Sequence, residues 1–178
     1  AISYLMLVVS APLCGAIMDY RAEKKRFLLF SYMVTMATTA MLYFVEPGYV
    51  VLGLLLIVLS NYAYSMGESF IAAFLPELGP PDALGKISGF GWALGYIGGL
   101  LAAGFTLIVL GEATADNFER IRWVGPFAAG FFLVAAIPTF LWLKERGVPK
   151  PHGVSYRQIA QQRILGTFHE LRYFKDLS

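Results

Sequence analysis

Charged residues are scarce in this chain. They make up 15% of its 178 residues, against about a quarter in ordinary water-soluble domains. With 57% hydrophobic residues and a mean hydropathy of +0.61, the chain has too little polar surface to face water all round, so lipid is its solvent. The net charge is only +2, which gives no electrostatic case for nucleic acid. Cysteine occurs once, as Cys14 inside an apolar run, so no disulfide can form within the chain. The two histidines, His152 and His169, stand in the C-terminal tail with no Cys or His at metal-ligand spacing. No metal and no other cofactor is expected. A membrane-embedded enzyme would need His, Asp or Ser clustered in the apolar runs, and that pattern is lacking, so the expected answer on catalysis is no. Gly85 to Gly91 follows no strand and lacks the Lys-Ser/Thr ending of a phosphate loop. The chain opens at Ala1 with neither Met nor a charged leader, and it reads as a chain whose beginning is missing.

What the sequence has instead is long apolar runs. Five of them, over about 1–18, 27–45, 49–75, 87–110 and 123–143, are long enough for transmembrane helices, and backbone groups in lipid leave helix as the available form. The fold class is therefore all-α integral membrane, a bundle of about five helices over 1–143. Pro12 and Pro138 fall inside runs and predict kinks. The loops between runs differ in charge. Arg21, Lys24, Lys25 and Arg26 follow the first run, Lys86 follows the third, and seven Lys and Arg follow Leu143. Only Arg120 and Arg122 lie on the other side. The bias places the Asp19–Arg26 loop and the tail in the cytoplasm. Within the tail, 144–153 reads as linker. Ser155 to Leu177 spaces Ile159, Ile164, Leu165, Phe168, Leu171 and Phe174 among Arg and Gln, as a basic amphipathic helix does at a membrane surface.

The fourth run, GKISGFGWALGYIGGLL over Gly85–Leu101, is rich in glycine. Gly91 and Gly95 lie four apart, as do Gly95 and Gly99, with Gly98 beside them. Such spacing puts small residues on one helix face, the device that lets membrane helices approach closely. The run is expected to be the central, tightly packed helix of the bundle.

Two motifs point to a family. Gly15-Ala16-Ile17-Met18-Asp19-Tyr20-Arg21-Ala22-Glu23-Lys24-Lys25 resembles the signature G-x-x-x-D-R-x-G-R-R-K of the major facilitator superfamily. Gly15, Asp19, Lys24 and Lys25 match; Tyr20, Ala22 and Glu23 depart, and Arg21 is one place late. The combination of Phe74-Leu75-Pro76-Glu77-Leu78 with Ser88-Gly89-Phe90-Gly91-Trp92-Ala93-Leu94-Gly95-Tyr96-Ile97-Gly98-Gly99 is similar to the branch containing the autophagy-linked vacuolar amino-acid effluxers and their bacterial relatives. The resemblance implies that the five runs are the second to sixth of twelve helices, with the first helix and the whole second half absent. It implies a conformational latch at Gly15, Asp19, Lys24 and Lys25, and transport of small metabolites, amino acids among them, across a bacterial cytoplasmic membrane.

One carboxylate, Glu68, lies well inside a run, about 10 Å from its cytoplasmic end. Asn61 and Ser65 share its helical face. An intramembrane carboxylate is costly and marks function by default. It suits proton carriage or binding of a cationic group, so Glu68, Asn61 and Ser65 are the candidate substrate- or proton-binding residues, and the bilayer, a small-molecule substrate and protons are the implied partners. The function read from the sequence is secondary active transport by alternating access. The alternative is a non-transporting membrane scaffold or partner-binding subunit.

Overall fold

The computed structural model describes residues 2–112 and 114–145, apart from the side chains of Asp19 and Ala115. The amphipathic helix expected over 155–177 falls outside the described residues. Within them the chain is a helical bundle: α1 (Ile2–Arg21), α2 (Lys24–Met41), α3 (Val50–Ala72), a short α4 (Leu75–Leu78), α5 (Leu84–Leu110), a short α6 (Phe118–Ile121) and α7 (Val124–Trp142). No strand occurs among the described residues. Four helical stretches, Lys24–Phe44, Val50–Ala72, Leu84–Leu110 and Phe118–Trp142, are long and apolar enough to cross a membrane. The apolar part of α1, Ile2–Met18, is shorter. The helices run through Pro12 and Pro138.

Several of the expected boundaries shift, and α5 starts three residues early, at Leu84. The Asp19–Arg26 segment is hardly a loop, because α1 runs on to Arg21 and α2 begins at Lys24. Ala22 makes the turn with φ +52°, a left-handed conformation that costs a residue with a Cβ roughly 1–2 kcal/mol. The third run ends as a helix at Ala72, not Leu75. Pro76 opens the separate α4, since a helix start can spare the N–H that proline lacks.

Packing centres on α2, which lies against α3 and α7, while α3 also holds α1. The buried core gathers Met18, Leu28, Met66, Phe70 and Phe74 near the Lys24 end of the bundle. The α2 face that packs is not its most apolar one. Ser31, Thr35 and Thr38 are buried, and each hydroxyl donates to a carbonyl of its own helix, at Leu28, Ser31 and Val34 respectively. Small residues allow close contact and the back-bonding leaves no polar atom facing lipid. Gly125 of α7 comes so near α2 that an added Cβ would lie 2.5 Å from the Thr39 carbonyl oxygen. Across α1 and α3, the Tyr62 hydroxyl donates to Ser10 Oγ at 2.8 Å, and Ser3 Oγ to the Val58 carbonyl at 3.3 Å.

The glycine-rich helix corrects an expectation. None of the residues of α5 is buried, and a Cβ added at Gly91, Gly95, Gly98 or Gly99 would meet nothing within 4 Å. Its main neighbours are α4 and α7, the latter through Phe105 stacked on Phe127 at 4.6 Å. It is not the central packed helix of the described chain. Glycine permits a close approach and supplies no side chain to hold one. Among the described residues no helix presents a ridge to the glycine face.

Candidate functional site

Two places combine polar groups with helix geometry. The first lies at the Lys24 end of the bundle, where two sequence motifs meet. Lys24 Nζ donates to Glu77 Oε1 at 2.5 Å and to the Ala73 carbonyl at 3.1 Å, and it stands 5.7 Å from the Phe74 ring centroid. Lys24 and Glu77 are both largely enclosed. The lysine comes from the first motif and the glutamate from Phe74–Leu78 of the second. Lys25 Nζ donates to the Leu143 carbonyl at 3.0 Å. The Glu145 carboxylate accepts from the backbone N–H of Lys24 and, at 3.5 Å, from that of Lys25.

Of the four expected latch residues, Lys24 and Lys25 are brought into one cluster. Gly15 sits on α1, six residues before its end, with open space where a Cβ would be. Asp19 lies in the last turns of α1 and its side chain is outside the described residues. Sequence reasoning missed Glu77 and Glu145 as partners. A signal was present: two lysines in the first turn of α2, with no acidic residue there, have the wrong sign for a helix N-terminus. A carboxylate from elsewhere had to answer them.

The second place is the face of α3 that carries Asn61 and Glu68. The structure divides the expected trio. Asn61 and Glu68 are exposed, whereas Ser65 is buried, at 4% exposure. Residues 61 and 68 are seven apart, nearly two full turns, so they stay in line, while residue 65 turns away from them into packing. Tyr64 takes its place on the open face, about one turn before Glu68. Because α3 ends at Ala72, Glu68 lies about 6 Å from the helix end rather than about 10 Å. Asn61 is the deeper residue, eleven from either end of α3.

Asn61 and Tyr64 open onto a groove of about 400 Å³ between α2, α3 and α7, where Thr35, Thr39, Ser60 and Phe132 also line the wall. Thr39 Oγ1 and Ser60 Oγ share a hydrogen bond of 2.6 Å. The Asn61 amide has no hydrogen-bond partner among the described residues. Phe132 touches both Tyr32 and Tyr64, at 4.8 and 6.1 Å between ring centroids, and so gives the groove an aromatic wall. No group of three or more His, Cys, Asp or Glu among the described residues could hold a metal ion. The arrangement can receive a small molecule or a polar side chain by hydrogen bonds at mid-helix depth.

At the opposite end, Arg122 joins α2 to α7. Its Nε donates to the Tyr43 carbonyl at 2.9 Å, its guanidinium lies 4.8 Å from the Tyr43 ring, and Glu46 and Glu119 lie within 3.6 Å of it.

Comparison with known proteins agrees with the helical bundle. Over 187 aligned residues the chain is 29% identical to the uncharacterized MFS-type transporter YxiO of Bacillus subtilis (strain 168), covering 99% of this chain and 42% of that protein. The chain thus spans about two-fifths of this relative's length. No solved structure matches. The family described as vacuole effluxer Atg22 like matches residues 1–84 and 82–178. Matched along its whole length, the chain belongs to the vacuole effluxer Atg22-like family, of major-facilitator type.

Proposed function

We propose that the chain forms part of a secondary transporter that carries a small metabolite across a membrane by alternating access. The observation that carries this reading is the Asn61 amide, unpartnered among the described residues and at the middle of a membrane-crossing helix, in a groove lined by hydroxyls. An amide left unpaired in lipid costs several kcal/mol. A protein that spends this energy gains nothing from it unless water, substrate or another helix satisfies the group. Glu68, two turns along the same face, adds a carboxylate, the one that lies away from the extreme first turn of the described membrane-crossing stretches, and it serves as the coupling or substrate group. Amino acids are the substrate class that the family resemblance favours, and protons the coupling ion. The charge bias of the loops puts the Lys24 end and the C-terminal tail in the cytoplasm of a bacterial cell. The five long helices are then the second to sixth of twelve.

The test uses the full-length protein in proteoliposomes, with a panel of ¹⁴C-labelled L-amino acids and an imposed pH gradient. Glu68→Gln keeps the shape and removes the titratable charge. Transport, or its dependence on pH, should fall at least tenfold while the melting temperature holds. Asn61→Ala should raise KM. Normal flux at every pH in Glu68→Gln ends the role assigned to Glu68. No flux in the parent would leave the alternative, a non-transporting scaffold.

A further inference from the structure

The lysines that open α2 pose a problem for that helix alone. Its four leading N–H groups lack intrahelical partners and carry the positive end of the dipole, yet two ammonium groups sit beside them. Glu23, the N-cap residue, makes no side-chain cap bond. The solution is tertiary. Glu145, three residues beyond the end of α7, supplies its carboxylate to the Lys24 and Lys25 N–H groups. In return, Lys25 Nζ caps the carbonyl of Leu143, the residue that closes α7, and Lys24 Nζ caps the carbonyl of Ala73, the residue that closes α3. One carboxylate meets the positive end of one helix, and two ammonium groups meet the negative ends of two others. Each charge has the sign that its helix terminus favours.

We infer that Glu145 is a positioning residue of the transport cycle: it pins a reciprocal clasp that makes α2, α3 and α7 move as one body. The clasp rests on the geometry alone, and its effect on rate rests on the transporter reading. Among the described side chains no neighbouring carboxylate is free to replace it. Glu23 pairs with Arg26 at 2.9 Å and Arg21 at 3.9 Å, and Glu77 pairs with Lys24 at 2.5 Å. Glu145 belongs to the segment that leaves α7, so a shift of that segment is felt first at the start of α2. Through Lys24 it reaches Ala73, five residues beyond Glu68 on the chain that carries the α3 groove face.

Hydrogen exchange on the full-length protein tests the clasp. Glu145→Ala should speed exchange of the Lys24 and Lys25 amides at least tenfold. Glu145→Gln, which keeps an acceptor oxygen without the charge, should give an intermediate value. In proteoliposomes loaded with the labelled amino acid that the parent carries, Glu145→Ala should lower Vmax at least fivefold with KM within twofold, and Glu145→Gln should rescue part of it. Unchanged exchange overturns the clasp. Faster exchange with unchanged Vmax overturns its role in transport. If Glu145→Ala fails to fold, Glu145→Gln carries both comparisons by itself. If the parent moves none of the labelled amino acids, the transport reading fails for them, and the exchange measurement still decides the clasp.

Discussion

Helices α2 and α5 both cross the membrane, and they are built on opposite plans. Of the four membrane-crossing stretches, the one formed by α5 is the most apolar and the least buried; the one containing α2 is the least apolar and is partly buried. In water the order would be reversed, because apolar area drives burial. Lipid tails are as apolar as leucine, so hydropathy inserts a helix without telling it what to pack against. Packing is won by residues such as Ser31, Thr35 and Thr38, which are small and satisfy their own hydroxyls, and by charged helix ends such as Lys24 and Lys25. Helix α5 has an equally small surface and, apart from Arg120 and Asn117 capping its last carbonyls from the loop that follows it, none of these anchors.

Glycines on the two helices sharpen the contrast most. Gly125→Leu should lower stability by about 3 kcal/mol or more, since overpacking typically costs 1–3 kcal/mol and here even the first added carbon meets the Thr39 backbone. Gly95→Leu, with nothing within 4 Å, should change it by less than about 0.5 kcal/mol. Thermal unfolding in detergent compares them. Equal losses would break the comparison and give α5 a packed partner beyond the described residues.

Charges at the helix ends should differ less. Lys24→Ala leaves the Glu77 carboxylate enclosed without its lysine and strips the end of α3 of a cap, at a cost of about 1–3 kcal/mol. Lys86→Ala, in the exposed first turn of α5, should stay within about 0.5 kcal/mol. A matching loss at Lys86 in the same melting assay would show that both ends of the chain's charge pattern are structural.

The smallest expected effect is a gain. Ala22 holds a left-handed turn at the place where the superfamily signature has glycine. Ala22→Gly should raise stability by about 1 kcal/mol, relief of the Cβ strain outweighing the added freedom of the unfolded chain. A lower melting temperature would show that the turn is not strained.

The legible part of the candidate site was its chemistry. Glu68 and Asn61 stand out in any reading as polar residues in an apolar run, and seven residues of spacing keeps them in line. The burial of Ser65 was not legible, because the same helical wheel places it near the edge of that face, and which neighbour covers an edge is invisible in one helix. Tyr64 was missed since an aromatic residue in a membrane run gives no signal of its own. The Lys24–Lys25 cluster was half legible. Its lysines fit a signature, but their partners Glu77 and Glu145 lie 53 and 121 residues away, and no local pattern links such distances.

By itself the sequence determined that this chain is a set of apolar helices in lipid and roughly where each begins and ends, because backbone hydrogen bonding and bilayer thickness leave little choice. It determined the charge asymmetry of the loops in the same way. Only the tertiary structure decided which helices pack. A glycine stripe permits contact without compelling it, so α5 stays open, while α2 is held by hydroxyls that need no partner and by helix ends whose charges find their complements on α3, α4 and the segment after α7.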